Sequence, residues 1–553
     1  MSWLRRIPNV IAGLLAGIVA TLVMMLLMVA SRYWLGIMPP PEAIPDRVAP
    51  LLDIQTFFSL FNQYGGYNGL KQFGILSGVR GLLGFGVLVG VIYALVLESG
   101  FSRRSPRWLL GTSRPALIFV AASVLVLWIG LIIFLWPVLV ANFRGLPPSQ
   151  ARIVTIVAML LWFVAYAATL IGVYRFITRR ESSPVLAADG ATEPQVEGAD
   201  TRSERPLARP LNRRSVLAGI AGGALIYPTY RLIEEMYHDA TFTYDGTVYS
   251  GDDLEPITPT DRFYIVTKNV VDPDPNRDIW GLEVGGHVNE GTRYNFEDLM
   301  EFEQIDQETT LCCISNNIGA GLFSNANWRG VRMRDLLERA GVREGAQEVL
   351  LTGADAYQDT FAIEKAMDPT TLLVYQINGE PLPRTHGFPV RVIVPGLFGE
   401  KNVKWVTRID VVDRDAQGFY EQQGWGPNFV VPTRSDLFDP RVVRGRGGFI
   451  FRDEMQAGQE VEIRGRSFAG ARGIQSVEIT TDDGATFQPV EIYYPGTELT
   501  WAFWRYRWTP AAAGEYVVFS RAVDGMGEPQ SDERRGNAPM GAQGYHRATA
   551  TVR

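Results

Sequence analysis

Four long apolar runs near the start of the 553-residue chain decide most of what it can fold into. Val10–Ala30 holds 21 residues without a charge; Gly81–Leu97 (extended backward over Val79), Pro115–Phe143 and Ile153–Tyr174 follow. About 20 apolar residues are enough for a helix to cross a bilayer, so each run is expected to be one span. Arg5 and Arg6, then Arg103, Arg104, Arg107 and Arg114, then Arg175, Arg179 and Arg180 all fall on one side of these spans. The excess of arginine makes that side cytoplasmic. Loops 38–78 and 144–152 face the other way and are sparser in Arg and Lys; Asp53–Phe58 is expected at the interface.

The four histidines are His238, His287, His386 and His546, none of them in a span. A membrane b-type haem needs axial histidines, so residues 1–180 do not read as a cytochrome. No carboxylate or lysine sits at mid-depth to mark an ion path. The four spans therefore read as an anchor, with a docking site for a partner membrane protein or a quinone left open.

Residues 181–212 are rich in Ala, Pro, Glu, Ser and Arg without an apolar period, the composition of a disordered cytoplasmic linker. Arg213 and Arg214 then precede Ser215–Tyr230, 16 uncharged residues rich in Gly and Ala. Paired arginines before a weakly apolar stretch resemble a twin-arginine export signal, and positive-inside charge ahead of a fifth span accounts for the same pair. No A-x-A site follows, so 213–235 is expected to remain as an uncleaved span. The remainder of the chain is then extracytoplasmic.

Residues 240–444 read as an α+β domain. Short β-rich runs occur at Phe263–Val266, Ile279–Val284, Glu348–Leu351, Leu372–Ile377, Val390–Val394 and Val406–Val412, with helix-like Asn295–Phe302 and Met333–Ala340 between them. Residues 445–553 read as an all-β sandwich, with alternation at Val461–Gly465, Ile474–Thr480 and Tyr516–Val523. Asp482-Asp483-Gly484 is a turn signal, and Trp501, Trp504 and Trp508 are candidates to fill an inter-sheet core. Net charge is −7, and the 52 Lys and Arg are not gathered on one face, so no nucleic-acid surface is expected.

Cys312 and Cys313 are the only cysteines. Two neighbours make no disulfide framework. They leave the strand-like Thr310-Leu311 for a polar turn, Ser315-Asn316-Asn317, with Gly319 and Gly321 beyond. A cysteine there can aim its sulfur into a cleft as a thiolate ligand to a soft metal, or it can pack as a small hydrophobe.

Several blocks in order carry a resemblance. They are Trp280-x-Leu282 with Gly286-x-Val288, Cys313-Ile314-Ser315-Asn316, Ser324–Val331, Asn378–Pro383, His386–Arg391, Val394–Gly399 and Val403-Lys404-Trp405. Over about 257–553 the chain resembles the sulfite-oxidase family of molybdopterin enzymes. The resemblance implies a molybdenum–molybdopterin cofactor of bis-oxo type with Cys313 as its one cysteine ligand, and Cys312 as packing. It implies that Arg391, Lys401, Lys404, Trp405 and His386 hold the pterin and its phosphate, that Tyr264, Lys268 and Asn269 line the cofactor, and that Asn316 braces the cysteine turn. Tyr357, in Gly353–Tyr357, matches a tyrosine that faces the metal's oxo group.

The same resemblance implies an immunoglobulin-like dimerisation domain at the C-terminus, hence a homodimer, with His546 structural. It implies oxygen-atom transfer on a small substrate, either oxidation of a sulfite-like oxyanion or reduction of an S- or N-oxide. The family's anion-binding arginine is replaced by Asn317, which weakens the sulfite expectation, and Arg434 is a candidate substitute cation. No haem domain or C-x-x-C-H motif is present, so a separate cytochrome or quinone-linked protein is the expected electron partner. A non-catalytic scaffold that keeps the fold is the alternative from another functional class.

Overall fold

A computed structural model describes residues 7–64, 67–99, 113–178, 213–238 and 254–553. Arg5, Arg6, Arg103, Arg104, Arg107, Arg179, Arg180 and the 181–212 stretch lie outside the described residues. The helical part comprises α1 (Ile7–Leu35), α2 (Pro40–Val48), α3 (Ile54–Gln63), α4 (Tyr67–Glu98), α5 (Arg114–Leu135), α6 (Pro148–Thr178) and α7 (Arg213–His238). Five of these, α1 and α4 to α7, are long and apolar enough to cross a membrane. The outward sides are apolar too: Val126, Ile133, Ile153 and Leu161 are each more than 60% exposed. The third run ends eight residues earlier than the sequence suggests, at Leu135. Pro137 stops it: it has no N–H to donate to the Ile133 carbonyl, and its ring crowds that carbonyl. Phe143 instead folds back under the bundle, 3.5 Å from the Arg32 guanidinium.

Small residues let α1 and α4 approach closely. A Cβ on Gly13 would lie 2.5 Å from the Gly90 carbonyl, and one on Gly17 2.6 Å from that of Gly86. This is the Gly-x-x-x-Gly crossing, in which backbone contact replaces side-chain packing. The Tyr166 hydroxyl of α6 donates to the Gly86 carbonyl at 2.6 Å and ties a third helix to the pair.

The middle of the chain forms two sheets. The strands are β1 (Leu282–Gly286), β2 (Thr292–Tyr294), β3 (Ile305–Cys312), β4 (Phe323–Arg332), β5 (Glu348–Gly353), β6 (Gln358–Ala362), β7 (Leu372–Ile377), β8 (Glu380–Pro381), β9 (Arg391–Ile393) and β10 (Val406–Val412). One sheet has the order β2-β1-β10-β5-β6, with only β1 and β10 parallel. The other runs β3-β4-β7-β8, with β9 added to β7. The Phe263–Val266 run forms no strand. The Tyr264 N–H goes to the Ser324 hydroxyl instead of a ladder, and the segment lines a cleft.

The C-terminal region is β-rich: a four-stranded and a six-stranded sheet share an apolar core that includes Ile463, Val477, Trp504, Trp508 and Val518. Two details differ from expectation. Strand Arg434–Asp439 pairs with Val461–Phe468, so these residues before 445 belong to the C-terminal sheets. Trp501 leaves the inter-sheet core and packs on Phe323 of β4, ring centroids 5.2 Å apart, with its indole N–H on the Pro256 carbonyl. A buried Trp settles where its N–H finds an acceptor, and here that acceptor lies across the domain boundary.

Candidate active site

The end of β3, the 354–357 turn and the segments flanking β9 enclose a cleft with about 790 Å3 of empty space, open to solvent. Cys313, Tyr264, Lys268, Tyr357 and the 385–405 segment line it. It is polarised along its length.

At one end is the cysteine turn. The Cys313 thiol lies 3.0 Å from the Ser315 hydroxyl. Burial, then Glu400, pushes it up to about 12. Asn316 sits behind the turn: its Oδ1 accepts from the Leu322 N–H at 2.9 Å, and its amide nitrogen is 3.8 Å from Cys312 Sγ. Cys312 is fully buried among Phe323, Phe468 and Trp501. Tyr264 reaches the same end, its hydroxyl so close to Gly399 that a Cβ there would lie 2.4 Å away. The Tyr357 hydroxyl donates to Asp359 at 2.6 Å and is 3.2 Å from the Glu400 carbonyl. Burial first, and Asp359 next, holds the phenol well above its ordinary range, so it stays protonated.

At the other end are the cations Arg391 and Lys404, neither of them in an ion pair among the described residues; Asp272 and Asp355 lie near enough to Lys404 to act on its charge. Arg391 gives Nη1 to the His386 carbonyl and Nη2 to that of Asn402, both at 3.2 Å. Its Nε is buried without a partner. Burial lowers the guanidinium to about 10. Lys404 donates to the Thr385 carbonyl at 2.9 Å, and burial and Arg391 push it down to about 8. Burial, then Arg391 and Lys404, takes His386 to about 3. The ring is therefore neutral, and its Nε2–H donates to the Thr260 carbonyl at 3.2 Å. Trp405, at φ 52°, closes this end with its indole N–H on the Arg384 carbonyl at 2.8 Å. A buried arginine with a free N–H beside a lysine and a neutral histidine suits an anion such as a phosphate.

Three predicted residues do not line the cleft. Asn316 supports it from behind. Asn269 is buried with its amide on Asp355 at 2.8 Å. Lys401 turns away from the cleft into ion pairs with Asp359 at 2.7 Å and Glu421 at 3.2 Å. The short 3-10 turn Gly399–Lys401 aims it there, whereas Lys404 stays with the cleft. Arg434 does reach the cysteine turn, but on the Cys312 side. Its Nη1 is 3.5 Å from Cys312 Sγ and its charge is paired with Asp436 at 3.1 Å. It is absent from the described cleft lining. Asn317 is exposed, with its carbonyl accepting from Arg434. Sequence reasoning missed Glu400, a lone acid in the apolar turn Leu397–Phe398–Gly399, and Asp355, two residues before Tyr357.

Comparison with known proteins fits this geometry. Residues 269–420 match the family model described as "Oxidoreductase molybdopterin binding domain". The chain carries a molybdopterin-binding domain of the sulfite-oxidase family. It is 31% identical over 321 residues to mitochondrial sulfite oxidase of Mus musculus, covering 50% of this chain and 57% of that protein. It is 29% identical over 303 residues to nitrate reductase [NAD(P)H] of Hordeum vulgare, covering 45% of this chain and 34% of that one. The chain thus spans about half or less of the length of these relatives. Among solved structures, the sulfane dehydrogenase SoxCD of Paracoccus pantotrophus aligns with TM-score 0.46 and 22% identity, over 54% of this chain and 85% of that one. The molybdopterin-binding domain implies a molybdenum–molybdopterin cofactor. The cleft fits such a group on its own chemistry, with a lone soft sulfur at one end and Arg391 Nε unpartnered at the other.

Proposed function

We propose that this chain is a membrane-anchored molybdopterin oxidoreductase that transfers an oxygen atom to or from a small substrate on the extracytoplasmic side. The observation that carries the reading is the polarised cleft, with the Cys313 thiol at one end and Arg391, Lys404 and neutral His386 at the other. When bound, molybdenum–molybdopterin supplies two-electron chemistry coupled to oxygen-atom transfer.

The protein's residues bind and orient. Cys313 is the metal ligand and loses its proton on ligation, which overrides the burial that keeps the thiol protonated. Arg391 and Lys404 hold the phosphate, Tyr264, Lys268, His386 and Trp405 line the pterin, and Asn269 and Asn316 fix the surrounding turns. Lys401 supports the site through Asp359. Tyr357 presents a phenol at the metal end, where a neutral donor can orient an oxygen-bearing substrate. The five apolar helices anchor the chain in lipid, with Arg213 and Arg214 as a twin-arginine signal that exports the folded domain uncleaved. Residues 445–553, together with the strand Arg434–Asp439, are an immunoglobulin-like dimerisation domain, and a separate cytochrome or quinone-linked protein carries the electrons.

Molybdenum and pterin analysis of the full chain, purified from a cofactor-competent host, tests this. Wild type and Cys312→Ala should carry both, and Cys313→Ala should carry no molybdenum. Turnover with an artificial electron carrier, assayed in both directions, should vanish in Cys313→Ala. Equal metal in Cys313→Ala would overturn the ligand assignment, and a metal-free and pterin-free wild type would overturn the enzyme reading.

A further inference from the structure

The helical region does more than hold the domain in place. Asp46 of α2 is 4% exposed and ion-paired to two lysines, Lys71 of α4 and Lys268 of the cleft, each at 2.8 Å. Lys71 also lies 3.4 Å from the Asn269 carbonyl oxygen of the side-chain amide. Lys268 in turn donates to the Asp355 backbone carbonyl at 3.0 Å. The Asp355 carboxylate accepts from the Asn269 amide at 2.8 Å and from the Tyr357 N–H at 3.0 Å. An unbroken buried chain of charges and hydrogen bonds therefore runs from α4 to the backbone of Tyr357.

The same turn is gripped from a second side. The Asn142 N–H, beyond α5, donates to the Ala354 carbonyl at 2.8 Å. Ala356 packs against the helical core while adopting φ 59°, a backbone region that residues with a Cβ seldom enter. Such conformations persist where the surroundings over-determine them. Here the surroundings come from another part of the chain.

We infer that the N-terminal helical region sets the working geometry of the cleft, with Asp46 and Lys71 as positioning residues for Lys268 and Tyr357. The inference rests on the reading above that the cleft takes the pterin cofactor. A soluble fragment lacking the helices would then have the metal ligand but an unset Tyr357 turn.

The test compares detergent-solubilised full-length wild type, Lys71→Met and the double variant Asp46→Asn/Lys71→Met. The double variant removes one charge of each sign and leaves Lys268 paired with Asp355, so folding is separable from positioning. The surface pair variant Arg277→Met/Glu297→Gln is the control. Hydrogen exchange is followed in 264–269 and 353–357, along with thermal melting and the rate of pterin release by fluorescence. The double variant should exchange faster in those two segments and release pterin about tenfold faster or more, at a melting temperature matching the control's. Wild-type exchange and release in the double variant would overturn the inference. If the double variant does not fold, Lys71→Met decides: faster exchange in 264–269 supports the inference, and wild-type exchange there overturns it. A wild type without molybdenum and pterin would sink the cofactor reading alone, because the exchange comparison still decides this one.

Discussion

The Tyr357 hydroxyl and Asp359 are joined by a 2.6 Å hydrogen bond, and the other oxygen of that carboxylate holds Lys401 at 2.7 Å. All three groups are buried or nearly so. Burial acts against charge on Asp359 and Lys401 alike, and each offsets this for the other.

Removing Lys401 should therefore strand a buried carboxylate. Lys401→Met is expected to cost about 3–5 kcal/mol in unfolding free energy, whereas Lys401→Met/Asp359→Asn should recover most of it. Neither should weaken pterin retention as Lys404→Met does. Denaturant melts of the three variants, with pterin content measured alongside, check the assignment. Pterin loss in Lys401→Met at undiminished stability would return Lys401 to the cofactor-binding set.

Glu400 gives a pH signature. Burial, then Asp359, pushes its carboxyl up to about 8 in the cofactor-free protein, against about 4.3 for an unfolded glutamate. Between those values the folded protein holds a proton that the unfolded chain has lost. Its stabilising contribution is full below the unfolded pKa and disappears as pH rises through about 8. Glu400→Gln should remove this slope, so that the variant gains on wild type steadily from pH 5 to 8.5 in the melting of cofactor-free protein. Parallel profiles for the two would rule out a raised Glu400.

How much of this was legible depends on sequence separation. Cys313, His386, Arg391 and Lys404 fall in short blocks whose chemistry can be read locally, and the cleft gathers all four. The resemblance favours Lys404 within Lys401–Trp405, but that Lys401 turns out of the cleft was not legible, because it depends on the direction imposed by one 3-10 turn. Still less so was Asp46, which meets Lys268 across 222 residues. Hydropathy identifies α1 and α4 as apolar spans, but it cannot register a single carboxylate that the tertiary fold docks onto a distant lysine. Trp501 shows the same limit: its place in an apolar core was readable, but its hydrogen-bond acceptor at Pro256 was not.

Gly399 and Tyr264 should behave as a coupled pair. A Cβ on Gly399 would sit 2.4 Å from the Tyr264 hydroxyl and 3.5 Å from the Cys313 Cα, so Gly399→Ala must push either the phenol or the cysteine turn. Overpacking of this kind costs about 1–3 kcal/mol. Tyr264→Phe removes the clashing oxygen, and in that background the alanine should cost much less. A double-mutant cycle on unfolding free energy should then give a coupling of about 1 kcal/mol or more, with the double variant more stable than the sum of the single effects. Pterin retention adds a second readout, since relief of the clash leaves the Cys313 turn in place. Strict additivity in both measurements would mean that the alanine is accommodated by movement of the turn, and that the contact between Gly399 and the phenol does not set the position of Cys313.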